Sequence, residues 1–295
     1  MWFLNTFHRR VPIDSLCLYR AALGFLIFVE SAQWLPYSVE LFSNAGFHVP
    51  HIPGFPTPEP LIAFNLVLAL MGTSLMVCLG LFTRTSLAVT LVLWSYLYGI
   101  DRLNEKSAHT IAMLGLFLLL FSACHQRYSL DNWLRKRRGL AEYPGEASIF
   151  MLRILQLAFA NIYFFSGLVK MQNPQWVDGT AFTQVLNCRW VSPIGTMIYK
   201  LQLPVIGRIG GLFTILFELF EGFFLLTPQT KYFGIALGLF FHGGIEVTMR
   251  IGSLGWHMMI ALVFLFPDPW AFKELMQHPP FVRRRRLGAV NSNLG

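Results

Sequence analysis

Apolar runs of roughly 18 or more residues recur along this chain, and each is long enough to cross a ~30 Å hydrocarbon core as a helix. That pattern excludes an ordinary water-soluble fold. Charged residues make up only 13% of the chain, against about 25% in typical soluble domains. The fold that follows is all-α, a polytopic membrane helix bundle forming one transmembrane domain over residues 1–295 with no extra-membrane domain. About eight spans are expected, near 14–34, 60–81, 85–101, 107–123, 148–170, 205–226, 231–249 and 252–267. Gly and Pro cluster between them, as in Pro50-His51-Ile52-Pro53-Gly54-Phe55-Pro56. The first run carries Arg20 and Glu30 and lacks a small-residue cleavage site, so it reads as a retained helix and not a signal peptide. The connection 171–204 holds Trp176 and apolar pieces too short to span, which predicts an interfacial or re-entrant segment between spans five and six.

Positive charge sets the expected orientation. With the N-terminus cytoplasmic, the inside loops hold fourteen Lys and Arg and the outside seven. The positive-inside bias therefore predicts a multi-pass protein with both termini in the cytoplasm. Two inside clusters, Arg135 to Arg138 and Arg283 to Arg286, account for much of the net charge of +8 and suit anionic lipid. No aromatic platform accompanies them, so no nucleic-acid partner is expected. Four cysteines without CxxC or Cys/His spacing point to neither a disulfide framework nor zinc.

Ionisable residues inside the spans carry the functional signal, because an unpaired charge at membrane depth costs about 3 kcal/mol or more. In the inner half, Arg20, Arg153, Glu218 and Glu221 read as a structural ion-pair brace. The outer half differs in kind. Glu30, Asn104, His109, Lys170, His242, Glu246 and His257 approach one level from five helices, with Trp176 just beyond, and predict a polar cavity facing the extracytoplasmic side. His109, His242, Glu246 and His257 could ligate a metal, but no HExxH-type spacing supports one and none is predicted.

The run Tyr163-Phe-Phe-Ser-Gly-Leu-Val-Lys170-Met, followed by Trp176-Val-Asp-Gly, resembles the segment of vitamin K-dependent γ-glutamyl carboxylases that holds their catalytic lysine. Leu103-Asn104-Glu105-Lys-Ser-Ala-His109, Tyr128-Ser-Leu-Asp131, Phe217-Glu218-Leu-Phe-Glu221-Gly, Phe241-His242 and Leu254-Gly255 are similar to further stretches, in the same order. Arg20 and Phe42-Ser-Asn-Ala-Gly46 fit the broader family of horizontally transferred transmembrane (HTTM) domains. The resemblance implies a quinol-dependent, carboxylase-like enzyme. Lys170 would deprotonate a vitamin K-type hydroquinone, and His109 or a neighbouring histidine would stabilise a developing carbanion. Dioxygen would then generate a strong base able to take a proton from carbon. Two other functions stay open: a membrane maturation factor for a secreted peptide or protein, and a non-catalytic quinone- or lipid-binding scaffold.

Overall fold

The structure is a computed structural model, described here for residues 9–102, 107–188, 191–201, 203–249 and 252–277. Eight principal helices lie where the apolar runs predict them: α1 (Asp14–Trp34), α3 (Pro60–Leu79), α4 (Thr83–Ile100), α5 (Ser107–Leu120), α7 (Phe150–Gln172), α11 (Pro204–Leu226), α12 (Lys231–Thr248) and α13 (Leu254–Leu265). Shorter helices fill the connections: α2 (Ser38–Phe42), α6 (Leu130–Arg137), α8 (Pro174–Val177), α9 (Thr180–Val185), α10 (Pro193–Lys200) and α14 (Pro269–Gln277). A two-stranded antiparallel ribbon joins β1 (Arg10–Pro12) to β2 (Glu146–Ser148), with Val11 opposite Ala147.

Four helical segments among the described residues are long and apolar enough to cross a membrane. They are Asp14–Phe42 (α1 continued through a 3₁₀ turn into α2), Pro60–Leu79, Phe150–Gln172 and Pro204–Leu226. α5 and α13 are apolar but only 14 and 12 residues long. α4 and α12 reach 18 residues, and α4 carries Thr83, Arg84, Thr85, Ser86 and Thr90 in its first half. Multi-pass membrane integration follows from these helices.

Helix ends follow the punctuation in the sequence. α3 starts with Pro60 at its first position, where the missing N–H has no helical partner to lose. It ends at Gly80, whose φ of 68° is the left-handed conformation that closes helix C-termini. α7 buries Leu152, Leu155, Phe159 and Tyr163, a stripe at helical spacing. Its Leu157, Phe165 and Val169 stay exposed, as a lipid-facing side requires. α7 packs more extensively against α11 than any other pair of elements does, followed by α1 against α3. Small residues permit the first contact. A methyl added at Gly167 would lie 2.7 Å from the Leu219 nitrogen, and one at Gly222 would lie 2.9 Å from the Ala160 oxygen.

That antiparallel register corrects one expectation. Gly167 faces Glu218 and Leu219, so Glu218 shares the depth of the last turns of α7, not of Arg153 in its first turn. The first two turns of α11 run past the end of α7, where Gly207 and Gly211 pack on Gly179 and Trp176. Counting depth from the start of the helix therefore places Glu218 too far inward.

Candidate functional site: a lysine–glutamate pair at the α7–α11 seam

Lys170 lies in the last turn of α7. Side chains on a helix lean toward its N-terminus, and here the lean is decisive. The amine reaches back one turn to Ser166 Oγ at 2.7 Å and across to α11, meeting Glu218 Oε2 at 2.6 Å and Oε1 at 2.9 Å. Lys170 is 20% exposed and Glu218 12%. The indole of Trp176 in α8 lies 5.3 Å from the amine, a cation–π distance. Asn173 accepts from the Gln175 N–H and Pro174 opens the short helix, which fixes Trp176 over the end of α7.

Two turns before Lys170 on the same helix, Tyr163 meets His242 of α12, with its hydroxyl 2.8 Å from Nε2. Glu221 is wholly buried, with both carboxylate oxygens unpartnered among the described residues and Oε1 against Gly238 of α12. Phe217 bridges the layers, edge-on to Tyr163 at 5.6 Å and stacked on Phe241 at 4.0 Å. One turn beyond His242, Glu246 faces Gly255 at the start of α13. An ion pair, a phenol–imidazole pair and a buried carboxylate thus occupy one seam of α7, α11 and α12. Tyr163 and Ser166 were legible as the i−7 and i−4 neighbours of Lys170, one face of one helix.

His109 belongs to a different cluster. Its ring stands edge-on to Trp34 and Trp94, at 5.4 Å from each, and 6.3 Å from Tyr98. The pocket there, about 10 Å³, holds little more than a water. His257 is buried, with Nδ1 2.9 Å from the Ser253 carbonyl. Glu30 is buried on α1. Asn104 lies outside the described residues. The structure brings Lys170, Glu218, Trp176, Tyr163 and His242 together, and gives His109 partners on α1 and α4 instead.

The expected arginine–glutamate brace is replaced by other partners. Glu218 is taken by Lys170. Half-buried Arg153 donates to Gln156 Oε1 at 2.8 Å, and Gln156 in turn donates to the Leu265 carbonyl. Arg20, fully buried, donates to the Val77 carbonyl at 2.8 Å and the Tyr128 carbonyl at 2.5 Å. It thereby caps the C-terminus of α3, where a cation meets the negative end of the helix dipole. Gly80 is required beside it, since a side chain there would collide with the guanidinium. The adjoining Tyr128-Ser-Leu-Asp131 segment completes the clasp. The Tyr128 hydroxyl donates to Asp14 Oδ1 at 3.0 Å, beside an Arg127–Asp14 ion pair at 3.0 Å. Burial, and then the Asp14 carboxylate, hold that phenol above its ordinary pKa. Asp131 accepts from the N–H groups of Phe82 and Thr83 and from the Thr83 hydroxyl, at 2.7–2.8 Å, closing the start of α4. These residues are architectural.

The model of the HTTM domain family matches residues 8–270. No solved structure matches the chain.

Proposed function

The chain belongs to the HTTM family, and on that premise we propose that it acts on a reduced quinone of the vitamin K hydroquinone type, taken from the outer leaflet, with Lys170 as its base. The observation that carries this reading is the direction of the Lys170 amine. A lysine at a helix end ordinarily extends to the head groups. This one turns back along its own helix and ends on Ser166 and Glu218.

The donor set fits a planar quinol. Trp176 lies over the amine, and the Tyr163, Phe217 and Phe241 rings continue inward from it, surfaces on which an aromatic ring stacks well. A reduced quinone, when bound, supplies the reducing electrons for chemistry with dioxygen. The protein's own residues handle protons. An ammonium in contact with a carboxylate can pass its proton to that carboxylate, and the resulting neutral amine is a competent base. Glu218 is then the residue that receives and returns the Lys170 proton, and Ser166 orients the amine. We assign the supporting histidine role to His242, which Tyr163 ties into this seam, in preference to His109.

We also read all eight principal helices as spans, with both termini cytoplasmic and α8, α9 and α10 forming the extracytoplasmic segment. The fourteen-to-seven division of Lys and Arg supports that orientation.

The test is oxidation of a reduced naphthoquinone by the purified protein under oxygen, followed by quinone absorbance. Lys170→Ala should lower turnover by about 100-fold or more, the usual contribution of a positioned acid–base group, while its thermal transition remains cooperative. Turnover retained in a folded Lys170→Ala protein would discard the base assignment and leave the scaffold or the maturation factor as the reading.

A further inference from the structure

At one end of the bundle a thin layer lies across the helix ends. α6 starts where α3 stops and α4 begins: the Asp131 N–H donates to the Gly80 carbonyl at 3.0 Å, and its carboxylate accepts from the Phe82 N–H. The chain then runs toward β2, held to α6 by Arg135 donating to the Ala141 carbonyl and the Tyr143 N–H donating to Asn132 Oδ1. β2 pairs with β1, and α14 packs on β1 and α1. Lys273 of α14 lies 4.0 Å from Glu146 of β2. α6, the ribbon and α14 are one continuous layer.

α6 is amphipathic, yet the protein leaves its apolar stripe uncovered. Leu130, Trp133 and Leu134 stand at i, i+3 and i+4, the spacing of a core-facing stripe, and α6 buries none of its residues. Trp133 is 46% exposed, and Phe82, just before α4, is 65% exposed. α14 repeats the pattern: Phe272 is buried as its anchor while Trp270 is 42% exposed. Each tryptophan has a cation about one turn further on lying over its ring. Arg137 is 4.2 Å from the Trp133 centroid and Lys273 is 5.4 Å from that of Trp270. An indole carrying a cation suits the border between acyl chains and head groups, where tryptophan is enriched and basic side chains reach phosphate.

The carboxylates of this layer are largely engaged. Asp14 holds Arg127, Glu142 holds Lys136 at 2.7 Å, and Asp131 and Asp268 accept from backbone N–H groups. Among the described residues no carboxylate pairs with Arg84, Arg135, Arg137 or Arg138. A cation in the last turn of α6 also complements the helix dipole, but that effect gives no reason for bare indoles. Uncompensated positive charge and exposed aromatic rings share one surface at the end of a membrane bundle.

We propose that α6 and α14 lie flat on the bilayer and bind anionic phospholipid, with phosphate groups at Arg137 and Arg138 and the Trp133 and Trp270 indoles at the acyl border. On the orientation proposed above this is the inner leaflet. Charge complementarity selects an anionic head group over a zwitterionic one. The site is independent of the quinol reading.

The test uses purified full-length protein in detergent, titrated with dioleoyl phosphatidylglycerol and dioleoyl phosphatidylethanolamine, with bound lipid counted by native mass spectrometry. The native protein should favour phosphatidylglycerol by about tenfold or more. Arg137→Gln/Arg138→Gln should lose most of that preference, since each basic residue near an anionic surface is worth about fivefold. Both positions are exposed, and a cooperative melt of the variant guards against a folding defect. Lys200→Gln/Arg208→Gln, which removes two charges at the opposite end of the bundle, should keep the preference. Phosphatidylglycerol brominated on its acyl chains should quench the native protein more than Trp133→Phe, which places the indole at the chains. Equal binding of the two lipids, or equal losses in the two double variants, overturns the site. Release of bound phosphatidylglycerol by inorganic phosphate alone would reveal a free-anion site and overturns the lipid assignment.

Discussion

Glu218 has the Lys170 ammonium as its partner, so neutralising it leaves a cation stranded at the seam of two helices. Glu218→Gln should lower stability by roughly 2–4 kcal/mol, somewhat below the cost of breaking a fully buried pair because both partners retain some exposure. Leu216→Ala, a change on the exposed face of the same helix, should cost far less in the same detergent melt. The double variant Lys170→Met/Glu218→Leu should recover most of the loss, since an apolar replacement of both partners removes the stranded charge. A Glu218→Gln melt equal to the Leu216→Ala control would mean that the pair contributes nothing. Arg20→Lys is expected to cost roughly 2 kcal/mol despite keeping the charge, because an ammonium lacks the planar fork that reaches two carbonyls on separate segments. The charged residues themselves were visible in the sequence, but their partners were not. Arg20 satisfies itself on backbone carbonyls, which any sequence supplies, and Glu218 meets a lysine because the first turns of α11 run past the end of α7, which brings the glutamate level with Lys170.

Helix positions were far more legible than pairings. All eight principal helices fall within a few residues of the apolar runs, because a lipid-length run constrains length and composition together. The clasp of Arg20, Tyr128 and Asp131 was legible only as a motif, since its role depends on the end of α3 meeting the starts of α4 and α6. Asp131→Ala should remove the cap of α4 and cost about 1–2 kcal/mol, seen as an earlier thermal transition. Thr83→Val, which keeps the two backbone donors, should cost less. The same region gives a pH dependence. Half-buried His125 is held below its ordinary pKa, first by burial and then by Arg84. Its folded form therefore binds fewer protons than its unfolded form, so its contribution is intact above about 6.5, the unfolded value. That contribution is lost as the pH falls below 6.5 through the folded value. Melts of the native protein should steepen their decline below that pH, and His125→Gln should flatten it. Identical profiles would show that another group titrates.

At the scale of the whole molecule, orientation is the property on which the proposed Lys170 site depends. On the orientation proposed above, a variant keeping only Cys188 would present one thiol, between α9 and α10, on the outside. In intact cells an impermeant thiol reagent should label it, and labelling that appears only after lysis would invert the arrangement. The Arg20 clasp has a consequence in time as well. Its two acceptors lie 57 and 108 residues downstream. At a synthesis rate of roughly 5–20 residues per second, the ribosome needs on the order of 5–20 s after making the arginine before the Tyr128 carbonyl exists to receive it. For about the first half of that interval the guanidinium lacks both acceptors, and after Val77 is made it still lacks the second. The insertion machinery, or the anionic face of the bilayer, has to shelter a charge that the finished protein will later enclose, and the order of the genetic message makes that wait unavoidable.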